Sequence, residues 1–200
     1  MRALLSCLLA IAVGALTLGW WTEGGTILTT EAARRSEAQR GQLSVGRFAI
    51  ETTHRKWEPI PSPTGKIQVI EFIYTRCPTL CQAGGVDMYR LANRLQAGGL
   101  APKVQLLSVS FDPAYDDVGR LGAYGERFRA DGKVWTIARA SSGELDGLLR
   151  DFGVIVIPDR YGGYVHNIAL HVVTPDGRLA GIYDSSDIDS VFAAVKGLTS

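Results

Sequence analysis

Short apolar stretches of strand length alternate along this chain with longer stretches whose apolar positions recur at helical spacing. Ile67–Tyr74 and Val104–Ser110 are rich in β-branched and aromatic or aliphatic residues, which is typical of strands buried on both faces. Between them, the apolar positions of Met88–Leu95 predict a helix, which Gly98–Gly99 ends. This strand, helix, strand order predicts two parallel neighbouring strands in a β-α-β unit.

The same patterns predict further elements on both sides of this unit. They are a hairpin or meander that includes Arg47–Thr52 and the turn Pro59–Gly65, a helix from about Asp116 to Phe128, a short strand at Val134–Ala138, a helix from Ser142 to Phe152 capped by Ser141 or Ser142, a hairpin of Ile168–Thr174 and Arg178–Tyr183, and a closing helix from Ser186 to Leu198. Together they predict an α/β fold with one mixed sheet flanked by helices.

Length and charge restrict the class of protein. With 200 residues, 46% of them hydrophobic, the chain is long enough for one well-buried domain and too short for two ordinary ones. The 21 Lys and Arg residues balance 20 Asp and Glu residues, and no long run of one sign occurs. This argues against a nucleic-acid-binding surface.

The N-terminal segment predicts a membrane association. Residues 3–21 carry no charge and span roughly 28 Å as a helix, about the thickness of a bilayer core. A cleaved signal and an uncleaved anchor are both consistent with this, and the terminal Trp20–Trp21 pair favours an anchor over residues 1–22. Arg2 then places the domain, residues 43–200, in a bacterial periplasm beyond a flexible linker at residues 23–42.

Two cysteines, Cys77 and Cys81, lie where the buried strand meets the helix. The positive end of a helix dipole favours the thiolate there. If both lie on the first turn, their Cβ atoms are about 5–6 Å apart, against roughly 3.8 Å in a relaxed disulfide. One soft metal ion bridges that gap, whereas a disulfide needs local rearrangement and is easily reduced. The pair predicts redox or metal chemistry, with an inert disulfide as the alternative for an exported protein.

A metal held by two thiolates usually takes a further ligand, most often histidine, and Cu(I) and Zn²⁺ are the metals that suit this pair. The chain has three histidines. His54 lies in a charged loop. His166 follows the Gly162–Gly163 turn and opens the strand of the late hairpin, and His171, five residues on, points to the other face of the sheet. His166 is therefore the candidate third ligand.

Three separated motifs occur in order along the chain: Phe72–Cys81 with the sequence FIYTRCPTLC, Val109–Pro113 with the sequence VSFDP, and His166 nine residues before the turn Pro175–Gly177. Together they resemble the Sco/SenC family of thioredoxin-like copper proteins, over about residues 45–195. The resemblance implies a thioredoxin-like fold, a membrane anchor, and copper, as Cu(I) or Cu(II), bound by Cys77, Cys81 and His166.

The resemblance further implies a role in assembling the CuA centre of cytochrome c oxidase, as copper donor, as thiol reductant, or as both. The implied partners are the oxidase subunit that carries CuA or another periplasmic copper protein, a thiol reductant, and the membrane. Asp112 matches an acidic residue that supports the metal loop. Val165 and Gln82 depart from the Asp and Pro of many members, and the missing carboxylate is expected to weaken Cu(II) binding or alter partner contacts.

Other functions are open to the same cysteines. A periplasmic thiol-disulfide oxidoreductase would use one cysteine to attack a partner's disulfide and the other to resolve the mixed disulfide. A peroxide-reducing or redox-sensing protein would form a sulfenic acid at one cysteine. Copper binding requires the imidazole of His166, whereas thiol exchange does not.

Overall fold

A computed structural model describes residues 2–22, 27, 29–77 and 80–199, with the side chains of residues 2–4 and 80–82 outside the description. The helices in this part of the chain are α1 Arg2–Trp21, α2 Thr30–Gln39, α3 Leu80–Ala97, α4 Val118–Phe128, α5 Leu145–Phe152 and α6 Ile188–Leu198. The strands are β1 Leu43–Ser44, β2 Phe48–Thr52, β3 Trp57–Ile60, β4 Ile67–Ile73, β5 Val104–Ser110, β6 Trp135–Ala140, β7 Val156–Pro158, β8 Tyr164–His166, β9 Leu170–Val173 and β10 Arg178–Tyr183.

Eight of these strands form one mixed sheet in the order β1-β10-β9-β4-β5-β6-β2-β3. β4, β5 and β6 are parallel, and β9 pairs with β4 in the antiparallel direction. β4 is buried at every position, as expected of a central strand whose apolar residues face helices on both sides. The predicted α/β fold with a mixed sheet flanked by helices is confirmed.

The register of β4 and β5 determines which loops come together. Ile73 pairs with Ser110, so both strands end at the same level. The amide of Phe111 then donates to the carbonyl of Ile73 at 3.0 Å. The segments that follow the two strands, residues 74–77 and 111–116, therefore lie side by side at the carboxyl edge of the sheet.

Part of the segment predicted as a flexible linker is helical and lies on the domain. α2 packs against β10, and its Ala38 is fully buried in the core. Arg35 forms an ion pair of 2.8 Å with Asp184, and Arg34 donates to the carbonyl of Asp151. A small buried alanine between polar neighbours gives a weak hydrophobic signal, which is why the sequence pattern did not indicate docking.

The N-terminal helix α1 carries apolar side chains that are exposed, from Leu5 to Trp21. Within the described ranges, no helix combines the length and the apolar character needed to cross a membrane.

The beginning of α5 differs from the prediction. The helix begins at Leu145, and the residue before it, Glu144, makes no capping bond to the helix. The Glu144 carboxylate instead accepts from the amide of Ala49 at 2.8 Å. Neither Ser141 nor Ser142 caps the helix, because the first turn begins further along the chain than their spacing indicated.

The end of α5 gives a test of the local backbone. Gly153 has φ +67°, and a Cβ there would overlap the guanidinium of Arg34. We expect Gly153→Ala to destabilise the chain by about 1–3 kcal/mol, because an L-residue is strained in the left-handed region. Gly122 lies within α4 with nothing within 4 Å of its Cβ position. As the matched control, Gly122→Ala should stabilise by about 0.5–1 kcal/mol. Urea unfolding measures both, and a shift of the same sign in both variants would contradict this account.

Candidate metal centre

Cys77 lies in the loop after β4 and is only 6% exposed. Its amide donates to the carbonyl of Tyr74 at 3.2 Å, which closes a tight turn at the end of the strand. The amide of Thr75 donates to the carboxylate of Asp116 at 3.0 Å, and the Thr75 hydroxyl donates to the same group. Because Asp116 is fully buried, the turn that carries Cys77 is fixed to the interior of the domain.

Cys81 is the second residue of α3, and its side chain lies outside the described residues. Cys77 stands before the helix. The spacing of 5–6 Å expected for two cysteines on one helical turn therefore does not apply to this pair.

His166 is the last residue of β8, which pairs with β7 in a separate two-stranded sheet. The prediction that His166 opens the strand of the late hairpin is wrong, because that strand, β9, begins only at Leu170. The side chain of Asn167 interrupts the strand, because its amide group donates to the carbonyl of Gly153 at 3.0 Å and its oxygen accepts from the amide of Ile155 at 2.7 Å. The β-branched run 154–157 is the sequence signal for β7, which the prediction did not include.

The imidazole of His166 is in the chemical form that binds a metal. Its Nδ1 lies 3.0 Å from the carbonyl of Asn167, so Nδ1 donates and Nε2 keeps its lone pair. Burial lowers the pKa of His166, which leaves the ring neutral near pH 7. Nε2 is buried and has no hydrogen-bond partner among the described residues. A buried, unpartnered nitrogen costs free energy unless a ligand occupies it.

Aromatic contacts bring His166 to the same edge of the sheet as Cys77. Its ring lies 4.9 Å from the ring of Phe111 and 6.0 Å from that of Tyr74, between ring centroids. These two residues directly follow β5 and β4. Tyr74 is also hydrogen-bonded to the backbone of Tyr164, donating to its carbonyl at 3.0 Å and accepting from its amide at 3.3 Å. Tyr74 thus contacts both the strand of His166 and the turn of Cys77.

Asp112 links the neighbouring loop to this turn. Its carboxylate lies 2.6 Å from Nη2 of Arg76, the residue before Cys77. The amide of Asp112 donates to the hydroxyl of Ser110 at 3.1 Å. Asp112 is 6% exposed, so this ion pair is protected from solvent on its acidic side. Among the residues whose side chains are described, no cluster of three His, Cys, Asp or Glu residues is arranged to bind a metal.

The other two histidines lie outside the site. His171 is buried in the core beside the rings of Phe72 and Phe152, and its Nδ1 lies 3.3 Å from the carbonyl of Ile70. Burial lowers the pKa of His171 to about 4, so it is a neutral core residue. His54 is exposed and borders a cavity with Asp131.

Residues 36–199 match the model of the SCO1/SenC family. The chain belongs to the SCO1/SenC family. It is 24% identical over 155 residues to the SCO1 protein homolog of Bacillus subtilis (strain 168). The aligned region covers 74% of this chain and 79% of that protein.

Solved structures show the same fold as this SCO1/SenC protein. BsSco, a member of the Sco family of cytochrome c oxidase assembly proteins in which a disulfide switch was identified, gives a TM-score of 0.68 at 24% identity, over 78% of this chain and 92% of that chain. ScoI of Arabidopsis thaliana, solved with copper bound, gives 0.66 at 21% identity, over 78% of this chain and 98% of that chain. The thioredoxin-like architecture expected from the sequence is that of Sco proteins.

Removing the Tyr74 hydroxyl tests how the strand of His166 is held. We expect Tyr74→Phe to destabilise this SCO1/SenC domain by about 1–3 kcal/mol, because the half-buried carbonyl and amide of Tyr164 both lose this partner. The ring resonances of His166 should also shift in NMR spectra. Tyr161→Phe is the control, because Tyr161 is 95% exposed. Equal stability of the two variants, with an unchanged His166 spectrum, would show that Tyr74 does not position β8.

Proposed function

We propose that this chain is a copper chaperone. The thiolates of Cys77 and Cys81 and Nε2 of His166 hold Cu(I), and also Cu(II), for delivery to the CuA centre of cytochrome c oxidase. The observation that carries the proposal is Nε2 of His166, which is buried, has no hydrogen-bond partner among the described residues, and belongs to a ring at the same sheet edge as the loop of Cys77. Soft thiolates suit Cu(I), and an added nitrogen ligand suits Cu(II).

The residues around the site supply orientation rather than further ligands. The carbonyl of Asn167 fixes the tautomer of His166, which keeps Nε2 free to coordinate. The rings of Tyr74 and Phe111 exclude water from one side of the imidazole. The copper ion is cargo, so a client thiolate must be able to join the metal before one of the three ligands leaves.

The relatives support this assignment. ScoI of Arabidopsis thaliana has been solved with copper bound, and BsSco is grouped with cytochrome c oxidase assembly proteins. We infer the same cargo and the same type of client for this chain. Neither Val165 nor Gln82, the two departures from the family pattern, removes one of the three proposed ligands.

Thiol-disulfide exchange, which would keep a partner's cysteines reduced, is the second candidate. The disulfide switch identified in BsSco favours it. The low exposure of Cys77 disfavours it, because a cysteine that attacks an external disulfide must be accessible. Copper loading makes no such demand, since a small ion reaches a buried thiolate, and the client that receives the copper needs access to the bound metal rather than to the sulfur of Cys77.

We also propose that the domain works in a bacterial periplasm, held at the inner membrane by residues 1–22. The support is the uncharged run of residues 3–21 after a single Arg2. Cell fractionation tests this: the chain should remain in the membrane pellet after a carbonate wash, and a protease added outside the inner membrane should degrade the domain. Recovery of the full-length chain in the cytosolic fraction would contradict it.

Titration of the reduced, metal-free chain with Cu(I), against a chelator of known affinity, tests the proposed function. We expect one copper per chain. Cys7→Ser is the matched control and should keep the same stoichiometry, because Cys7 is exposed on α1. If the chain retains no copper while its thiols exchange readily with a disulfide probe, the chaperone function is contradicted and thiol-disulfide exchange becomes the better proposal.

A further inference from the structure

A cavity of about 280 Å³ opens directly beside the loop of Cys77. Its lining consists of Thr75, Arg76, Tyr115, Arg120, Ala123, Tyr124 and Arg127. Three of these residues carry guanidinium groups, and no carboxylate belongs to this described lining. The residues Thr75 and Arg76 directly precede Cys77, so whatever occupies the cavity lies next to a proposed copper ligand.

Two of the guanidinium groups are held in place. Cζ of Arg76 and Cζ of Arg120 each lie 4.3 Å from the ring centroid of Tyr115. Nη2 of Arg76 contacts Asp112 at 2.6 Å, and Nη1 of Arg120 contacts the carbonyl of Tyr115 at 2.7 Å and the carboxylate of Asp117 at 2.6 Å. A guanidinium has five N–H donors, so both groups keep donors for a ligand after these contacts.

A cavity with ordered guanidinium donors is complementary to a carboxylate. Arginine binds carboxylates through two parallel hydrogen bonds, and stacking on an aromatic ring reduces the entropy lost when that pair forms. The two acidic residues in contact with these arginines, Asp112 and Asp117, lie outside the lining. The position of the cavity also matters, because a client thiol that reaches Cys77 must bring neighbouring residues over Arg76.

We propose that this cavity binds an aspartate or glutamate side chain of the protein that receives the copper, and thereby orients that protein's cysteines over Cys77. The proposal rests on the proposed chaperone function, since it names the client's chemistry. It predicts that clients carry an acidic residue close to their copper-binding cysteines.

Fluorescence anisotropy with two labelled peptides tests the proposal without copper. Both peptides carry serine in place of the two client cysteines, which removes metal and disulfide chemistry, and they differ only in having two Glu or two Gln beside the serines. The reduced, metal-free full chain should bind the Glu peptide about tenfold more tightly, and 0.5 M salt should abolish the difference. Equal affinity for the two peptides at low salt would overturn the proposal.

Substitutions of the lining arginines test whether the preference for the Glu peptide arises in this cavity. Arg120→Gln and Arg127→Gln should each reduce the preference for the Glu peptide to about threefold or less, and the second variant is informative if the first one fails to fold. Lys133→Gln is the matched control, because Lys133 is exposed and precedes β6, at the sheet edge opposite Cys77. An equal loss in Lys133→Gln, or equally tight binding of inorganic phosphate, would also overturn the proposal.

The outcome is separable from that of the copper titration. A chain that binds copper without preferring the Glu peptide is a chaperone without this docking site. A chain that prefers the Glu peptide through Arg120 and Arg127 but binds no copper keeps the acidic docking site and loses the proposed function.

Discussion

Replacing His166 with alanine is expected to lower the affinity of the reduced chain for copper by at least about 100-fold. Loss of an outer partner of a metal ligand already costs about 10–100-fold, and His166→Ala removes the ligand itself. Competition with a chelator of known affinity measures the change. The rate at which the thiols exchange with a disulfide probe should stay close to that of the unchanged chain, because exchange does not use the imidazole.

His54→Ala provides the control for the histidine substitution. His54 is exposed and lies outside the site, so this variant should bind copper as tightly as the unchanged chain. If His166→Ala and His54→Ala bind copper equally well, His166 is not a ligand, and the buried Nε2 has another role.

The second large effect concerns Glu71, a carboxyl group buried in the central strand β4. Its Oε1 accepts a hydrogen bond of 2.5 Å from the hydroxyl of Ser108, which in turn accepts from Nε1 of Trp135 at 2.8 Å. Burial raises the pKa of Glu71 from 4.5 to about 7. Burial also lowers the pKa of His171 from 6.5 to about 4. The folded chain therefore raises the pKa of a core acid, Glu71, and lowers the pKa of a core base, His171, relative to their values in the unfolded chain.

The signs of the two contributions are opposite. The contribution of Glu71 to stability is complete below pH 4.5 and is lost as pH rises through about 7, because only the unfolded chain ionises freely in that window. The contribution of His171 is complete above pH 6.5 and is lost as pH falls through about 4. Between about pH 5 and 6.5 the free energy of unfolding falls with pH because of Glu71 and rises with pH because of His171. The two changes cancel, so these groups together leave the stability nearly independent of pH.

We expect Glu71→Gln to remove this cancellation. Stability of the variant should rise with pH between 5 and 6.5, where the slope of His171 is no longer opposed. Relative to the unchanged chain, the variant should gain about 2 to 3 kcal/mol between pH 5 and pH 8. Urea unfolding at a series of pH values measures this.

Glu37→Gln is the matched control, because Glu37 is exposed on α2. This variant should follow the pH dependence of the unchanged chain. Parallel curves for Glu71→Gln and the unchanged chain would contradict the raised pKa of Glu71 in the folded chain.

Much of the sheet could be predicted from the sequence, because β4, β5 and α3 have strong and distinct apolar patterns. Their order alone places Cys77 and the segment after Ser110 at one edge of the sheet. The family motifs, whose match over residues 36–199 is confirmed, added His166 to that edge. These inferences depend on local spacing and on parallel pairing, both of which are encoded over short stretches.

The surroundings of His166 could not be predicted in the same way. Alternation along the chain predicts that His166 and His171 lie on one strand, but the side-chain hydrogen bonds of Asn167 interrupt it. The cationic cavity depends on Arg76 and Arg120 meeting the same ring of Tyr115, although these residues come from different loops and helices. Such contacts arise from the tertiary packing, and no periodicity in the sequence indicates them.

X-ray absorption at the copper edge, on the reduced chain loaded with one Cu(I), tests the central claim most directly. We predict a first shell of two sulfur atoms and one imidazole nitrogen, with the nitrogen absent in His166→Ala. A shell of sulfur alone in the unchanged chain, identical to that of His166→Ala, would contradict the three-ligand site.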